Sequence, residues 1–216
     1  MAELKFVFGP VSTGKTVELL LQAHQITKIH GKTAVKLMKP AFDTRDGEAM
    51  ISSASGMQAR ADFVIGAGDN LQELEMEPGT YLLVDEVQFF TLEQIMQLRR
   101  ISLEQNIHVE CYGLLKDFRN DLFFSAAKLV ELADEIVQMK TFCYLCSRKR
   151  LANKMRNAQI SMKIIKNGDV TEPTLEGESK QVGGIDLYVP VCSRCYYTAF
   201  KEVEMTAFVL SQSMPN

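Results

Sequence analysis

The sequence contains no run of about 18 apolar residues, the minimum for a helix that crosses a bilayer, and no internal repeat or low-complexity tract. Its opening segment, MAELKFVFGP, includes Glu3 and only a short apolar stretch, whereas a secretory signal has a basic region followed by a longer one. A cytoplasmic protein with no membrane partner is expected. Positive charge is not in surplus either: 24 Lys+Arg stand against 27 Asp+Glu, for a net charge of -3. Sequence-independent binding of nucleic acid runs on many Lys or Arg contacts to phosphate, so no nucleic-acid partner is expected. Five cysteines in a reducing compartment do not make a disulfide framework. What remains, 46% apolar and 24% charged residues, is the composition of a globular protein. A chain of this length buries about 70% of its unfolded surface, enough for one core and a small satellite.

Short apolar runs alternate with amphipathic ones. KFVF at 5–8, AVKLM at 34–38, DFVIG at 62–66, YLLVD at 81–85, HVECYG at 108–113 and EIVQM at 135–139 read as buried strands. Between them Lys15 to Ile29, Leu92 to Leu103 and Leu122 to Ala133 carry apolar residues at three- and four-residue intervals and read as helices. Thr91 followed by Gln94 forms a capping box that fixes the start of the second helix. Strand-helix alternation implies an α/β fold with a mostly parallel sheet covered on both faces. After about residue 140 the pattern breaks into cysteine pairs, a basic SRKR run read as a solvated face, and the polar KNGDVTEPTLEGESKQVGG. Too few apolar residues lie there for an independent core. The expected organisation is an α/β core at 1–140, a metal-stapled appendage with a long loop at 141–200, and a tail at 201–216.

Two C-x-x-C pairs, Cys143/Cys146 and Cys192/Cys195, supply four thiols in the pattern of a structural zinc site. A redox role is disfavoured, since there are two pairs and neither is expected to open a helix after a strand. Cys111, among apolar neighbours, reads as core. His24, His30 and His108 have no ligand spacing.

Directly after the first strand comes GPVSTGKT, a full G-x-x-x-x-G-K-[ST]. Glycines at Gly9 and Gly14 let the backbone curl so that the N-H groups around Ser12 and Thr13, with the following helix N-terminus, face a phosphate. Lys15 reaches the β/γ oxygens of ATP, and the Thr16 hydroxyl is placed to ligate Mg2+. Such a loop needs a partner carboxylate at the end of a nearby strand, and Asp85 after Tyr81-Leu-Leu-Val84 fits. Glu86, next in the chain and pointing to the opposite side because adjacent strand positions alternate, is the candidate acceptor of a proton from a substrate hydroxyl. Its alternative role is as a second metal or water ligand, as in ATP-driven motors. Gln88, just beyond the pair, is counted with the nucleotide contacts. Phe89 is assigned to the site, and Phe90 and Phe123 to the core. Arg119 is either a phosphate contact or a solvated, salt-bridged residue.

Five segments, GPVSTGKT, KPAFDTR at 39–45, DEVQFF at 85–90, YGLLKDFRNDLF at 112–123 and GGIDLYVPVCSRC at 183–195, stand in the order found in type II, zinc-containing thymidine kinases. The chain resembles that family from Lys5 to about Tyr197. The resemblance implies a RecA-like P-loop core with a small zinc-binding domain. It also implies Mg2+-dependent transfer of the ATP γ-phosphoryl group to the 5'-hydroxyl of thymidine or a close deoxynucleoside. By position it places Glu86 on the catalytic base, Asp85 on the Mg2+ carboxylate, and Asp43 and Arg45 near the 5'-hydroxyl and phosphates. Phe89, Leu114 and Phe118 fall on residues that enclose the thymine ring, with Tyr188 beside it. The loop between the cysteine pairs, with Val182 among its substrate contacts, becomes a lasso that reads the base largely through its backbone. A homotetramer and feedback by thymidine triphosphate follow from the resemblance alone.

The sequence departs from the family's common GPMFSGK[ST] at Val11 and Ser12, where Met and Phe are usual, and from DEAQF or DEGQF at Val87. Val11 would thin the wall near the base, and each such group changes discrimination by roughly 1–3 kcal/mol. The stretch from Asn157 to Ser179 suggests an enlarged lasso. The competing readings are a RecA-like P-loop ATPase acting on DNA, in which Glu86 activates water, and a non-catalytic nucleotide-sensing module that offers its metal loop to a protein partner.

Overall fold

The computed structural model describes residues 2–44, 47–148, 156–167, 170–178 and 187–201. Two compact units emerge: one lies within residues 1–139 without 10–12 and 116–121, and those two short segments group with the residues from 140 onward.

The larger unit runs β1 (Leu4–Phe8), α1 (Lys15–His30), β2 (Val35–Pro40), a hairpin of β3 (Met50–Ser52) and β4 (Gln58–Arg60), β5 (Phe63–Ile65), β6 (Tyr81–Val84), α2 (Leu92–Glu104), β7 (His108–Gly113), α3 (Phe124–Leu132) and β8 (Glu135–Gln138). Six of these strands form one sheet in the order β5-β2-β6-β7-β1-β8, and every pairing in it is parallel. The six apolar runs expected to be strands are these six. Alternation along the strands feeds two cores. Leu4, Phe6, Leu82 and Val84 face Ile95, Leu98 and Ile101 of α2 and Ala126 and Leu129 of α3, with Cys111 fully buried among them. Val7, Leu37, Leu83 and Tyr112 face Leu19, Leu20, Ala23 and Ile26 of α1. Both faces of the sheet are therefore covered, as parallel sheets require.

Local signals set the helix ends. Thr91 Oγ1 accepts from Gln94 N-H at 3.2 Å and the Gln94 side chain accepts from Thr91 N-H at 3.0 Å, a closed capping box. The Gln94 amide also donates to Gly66 O and Asp69 O, at 2.8 and 3.2 Å, tying α2 to the turn after β5. The third helix starts two residues later than its apolar pattern suggested, at Phe124, because Leu122 and Phe123 still belong to the turn that closes on Leu115. The β3–β4 hairpin was not anticipated, since three-residue strands carry too little periodicity to register.

The second unit holds α4 (Tyr144–Arg148), β9 (Ile160–Asn167), β10 (Val170–Pro173) and β11 (Tyr188–Val191), and residues 193–201 are helical. Here the expectation of no independent core fails. The strands form an antiparallel sheet in the order β10-β9-β11. Ile160, Met162, Ile164, Val189 and Val191 pack with Cys143, Cys146 and Cys192 in a buried cluster. Alternate apolar residues on β9 build it, a period-2 signal outweighed in the sequence by the polar stretch that follows. Part of the loop between the cysteine pairs is thus a β-hairpin. The tail beyond Lys201 lies outside the described residues. Among the described residues no helix is long and apolar enough to cross a membrane.

Replacing Thr91 with Ala removes the acceptor for Gln94 N-H and half of the capping box, which costs about 1 kcal/mol. Urea denaturation of the variant should show a lower midpoint at unchanged m-value, and an unchanged midpoint would show that Gln94 alone fixes the helix start.

Candidate functional site

The glycine loop bends because two positions admit no side chain or demand a left-handed backbone. A Cβ on Gly9 would meet Met139 O at 2.8 Å and Thr13 Cγ2 at 3.0 Å. Gly14 has φ +81 and is the N-cap of α1, bringing no side chain to the first turn. Ser12 is also left-handed, at φ 61. The first N-H groups of α1, which have no partner inside the helix, thus end at the loop. Lys15 Nζ donates to Gly9 O at 3.1 Å and lies 3.5 Å from Thr13 Oγ1. The middle of the loop, 10–12, groups with the second unit, where the Val11 N-H donates to Ser161 Oγ at 3.0 Å.

Strand β6 sits one strand removed from β1 across β7 and carries a carboxylate to the same edge. Thr16 Oγ1 donates to Asp85 Oδ2 at 3.2 Å, which joins the glycine loop to the acidic pair. Asp85 is buried, and burial first, then the neighbouring Glu86 charge, push its carboxyl up from 3.8 to about 7. The Glu86 N-H, Lys15 and the Thr16 hydroxyl oppose that rise. A buried acid flanked by a hydroxyl and an ammonium is a fitting ligand for a divalent cation, which would replace the proton with a charge of the right sign.

Glu86 does not diverge from Asp85 by strand alternation, as the sequence had suggested. The strand ends at Val84, and Glu86 turns instead through a left-handed backbone, φ 48 and ψ 42. Asp85 Oδ1 accepts the Glu86 N-H at 3.0 Å and so holds the turn. Gln88, expected among the nucleotide contacts, is buried, and its amide donates to Glu86 Oε2 at 2.5 Å while accepting the Leu114 N-H at 2.9 Å. Phe89 is half-buried, with its ring 5.2 Å from Phe42 and 6.5 Å from Phe123. Phe90 and Phe123 are buried in the core. Leu114 packs on the same core and Asp43 is buried, whereas Arg45 lies outside the described residues.

In the second unit Phe118 is buried and two cations lie over its ring, the Arg119 guanidinium at 4.7 Å and Lys163 Nζ at 5.1 Å. The Tyr188 ring is 6.3 Å away, and Tyr196 Oη donates to Phe118 O at 2.9 Å. Burial, and then the Asp117 carboxylate, raise the Tyr188 hydroxyl above its usual value. Arg119 is exposed and lies 3.9 Å from Asp117 Oδ2, in keeping with its salt-bridged reading. It donates to Leu175 O at 3.1 Å and to Gly177 O, and Lys163 donates to Glu176 O at 3.1 Å. Together they clamp the backbone that follows β10. Val182 lies outside the described residues.

Cys143, Cys146, Cys192 and Cys195 bring their sulfurs within 4.8 Å of one another, with Cys146 Sγ 3.5 Å from Cys195 Sγ. Although burial opposes it, N-H bonds from Cys192 and Cys146 lower the Cys143 thiol. Burial, together with this thiolate, holds Cys146 and Cys195 up. Four thiols cannot all ionise together without a cation among them, so the donor set fits a metal ion held tetrahedrally. Cys192 does stand between strand β11 and the helix at 193–201, contrary to expectation, but convergence of all four thiols favours a metal over a redox pair.

A family model described as thymidine kinase matches residues 2–196. The chain belongs to the thymidine kinase family. A thymidine kinase of Streptococcus pyogenes serotype M3 is 36% identical over 200 residues, covering 91% of this chain and 98% of its own. Those of Streptococcus gordonii, 35% identical over 199 residues, and Lactococcus lactis subsp. lactis, 36% over 200, cover 91% of this chain and 97% and 98% of their own. In this member of the thymidine kinase family, Val87 is fully buried behind the acidic pair. Its space comes from Gly113, where a Cβ would meet Val87 Cγ1 at 2.9 Å. The residues that sequence reasoning missed act in two ways: Ser161 and Lys163 through side-chain contacts to backbone groups and to the Phe118 ring, and Gly113 through lack of a side chain. No spacing rule reports either.

The folded chain holds the Asp85 proton more tightly than the unfolded chain does, so between 3.8 and about 7 it binds more protons and loses stability as pH rises. Asp85→Asn should abolish that decline in denaturant titrations at about pH 5 to about pH 7, run without nucleotide or divalent cation. Parallel curves for the two proteins would place the raised carboxyl elsewhere.

Proposed function

We propose that the chain transfers the γ-phosphoryl group of ATP to the 5'-hydroxyl of thymidine or a close deoxynucleoside. The Thr16–Asp85 hydrogen bond carries this reading, because it joins the loop that suits a triphosphate to the strand end bearing Glu86. Lys15 and the first N-H groups of α1 neutralise and orient the phosphates. Thr16 and Asp85 would hold Mg2+, which supplies charge neutralisation on the phosphate oxygens when bound. Glu86 accepts the 5'-hydroxyl proton as the new O-P bond forms and ADP leaves. The family resemblance assigns Asp43 and Arg45 to the hydroxyl and phosphates. Val11, Phe89, Leu114, Phe118, Val182 and Tyr188 contact the nucleoside, and Val11 tunes the choice between thymidine and deoxyuridine.

The four thiolates hold structural Zn2+, the ion that an all-sulfur tetrahedral set favours. A cytoplasmic location, a homotetramer, and feedback by thymidine triphosphate complete the proposal and rest on the resemblance. A net charge of -3 offers little for a DNA partner, so the ATPase reading has the weaker footing.

Incubation with γ-labelled ATP separates the three readings: label on thymidine supports the kinase, label released as phosphate the ATPase, and retained label a sensor. Glu86→Gln should keep nucleotide affinity and lower kcat by about 100- to 10,000-fold, the span of a lost general base. Near-normal turnover in that variant would remove Glu86 from the reaction. Cys195→Ser should reduce zinc per chain, measured by plasma mass spectrometry, and weaken nucleoside binding before nucleotide binding. Full zinc content would discredit the four-thiolate site.

A further inference from the structure

We propose that Gln88 is a positioning residue that fixes the orientation of the Glu86 carboxylate for proton transfer, an inference that rests on Glu86 being the base. The Gln88 side chain is 1% exposed, and both ends of its amide are engaged. The nitrogen donates to Glu86 Oε2 at 2.5 Å, and the oxygen accepts the Leu114 N-H at 2.9 Å. A flipped amide would oppose oxygen to carboxylate and NH2 to N-H, so the two partners admit one orientation only. The backbone is held as well, because Gln88 O accepts from Ser125 Oγ of α3 at 2.9 Å.

Two features show that the surroundings are shaped around this amide. A Cβ on Gly113 would lie 2.5 Å from Gln88 Oε1, so the end of β7 leaves the amide its space by carrying no side chain. Val87 and Phe90, on either side in sequence, are buried in the apolar core, so Gln88 enters a setting where an unbonded amide would be costly. Glu86, by contrast, is only partly buried and stands on a left-handed turn. Left to itself, a glutamate side chain samples several rotamers, and fixing it for reaction costs entropy. The Gln88 donor restricts that freedom before substrate arrives, linking the base to the end of β7. Displacement of a reacting group by about 1 Å is enough to slow turnover by about 100-fold.

The test is a double-mutant cycle on the full-length, zinc-loaded protein, with labelled ATP and thymidine. Gln88→Met should lower kcat by about 10- to 100-fold while the KM and dissociation constants for both substrates change by less than about threefold. Made on top of Glu86→Gln, the same substitution should cause no further loss, since the carboxylate it positions is gone. Unchanged kcat in folded Gln88→Met, or a full further loss in the Glu86→Gln background, would overturn the proposal. Should Gln88→Met fail to fold, Gln88→Asn keeps a neutral amide but, one methylene shorter, withdraws the donor from Glu86, and is read by the same cycle. Wild-type protein that places no label on thymidine would remove the parent reading instead.

Discussion

A carboxyl buried at the end of β6, bonded to a hydroxyl at the start of α1, is the constraint around which the larger unit is arranged. Thr16, Lys15 and the Glu86 N-H offset part of the cost of burying Asp85, whose carboxyl still rises to about 7. Thr16 and Lys15 come from the helix start that follows the glycine loop, and the Glu86 N-H from a left-handed turn. The parallel sheet makes their meeting possible, because β1 and β6 end at the same edge with β7 between them. The α2 and α3 core behind that edge is what keeps a polar cluster of this kind in register.

The second unit uses a different logic. Its sheet is small, and its apolar cluster is completed by three of the four cysteines rather than by more hydrocarbon. Strand β9 has two working faces. Ile160, Met162 and Ile164 point into the thiol-lined cluster, while Ser161 and Lys163 point to the Val11 N-H, the Phe118 ring and the Glu176 carbonyl. One strand therefore joins the sulfur-lined cluster to the residues around Phe118.

Much of this was legible from residue patterns. The six sheet strands, the glycine loop, the Thr91 capping box and the convergence of four cysteines each arise from short-range rules of periodicity, capping or ligand spacing. The misses also share a cause. Divergence of Asp85 and Glu86 was attributed to strand alternation, but a turn at Glu86 ends the strand first. Gln88 was grouped with the nucleotide because of its place in DEVQFF, and only three-dimensional proximity shows its amide occupied by Glu86 and Leu114. Arg119 could be read in either of two ways until its carbonyl partners at Leu175 and Gly177 were seen. Contacts with backbone oxygens carry no side-chain signature, so sequence reading is blind to them.

The two-sidedness of β9 also limits how chain length can vary. Inserting or deleting a single residue between Ile160 and Ile164 would exchange inside for outside along the rest of the strand, turning Lys163 toward the thiols and an isoleucine toward Phe118. Changes in loop size are therefore confined to segments beyond the paired strands, and within β9 itself only even steps preserve the frame.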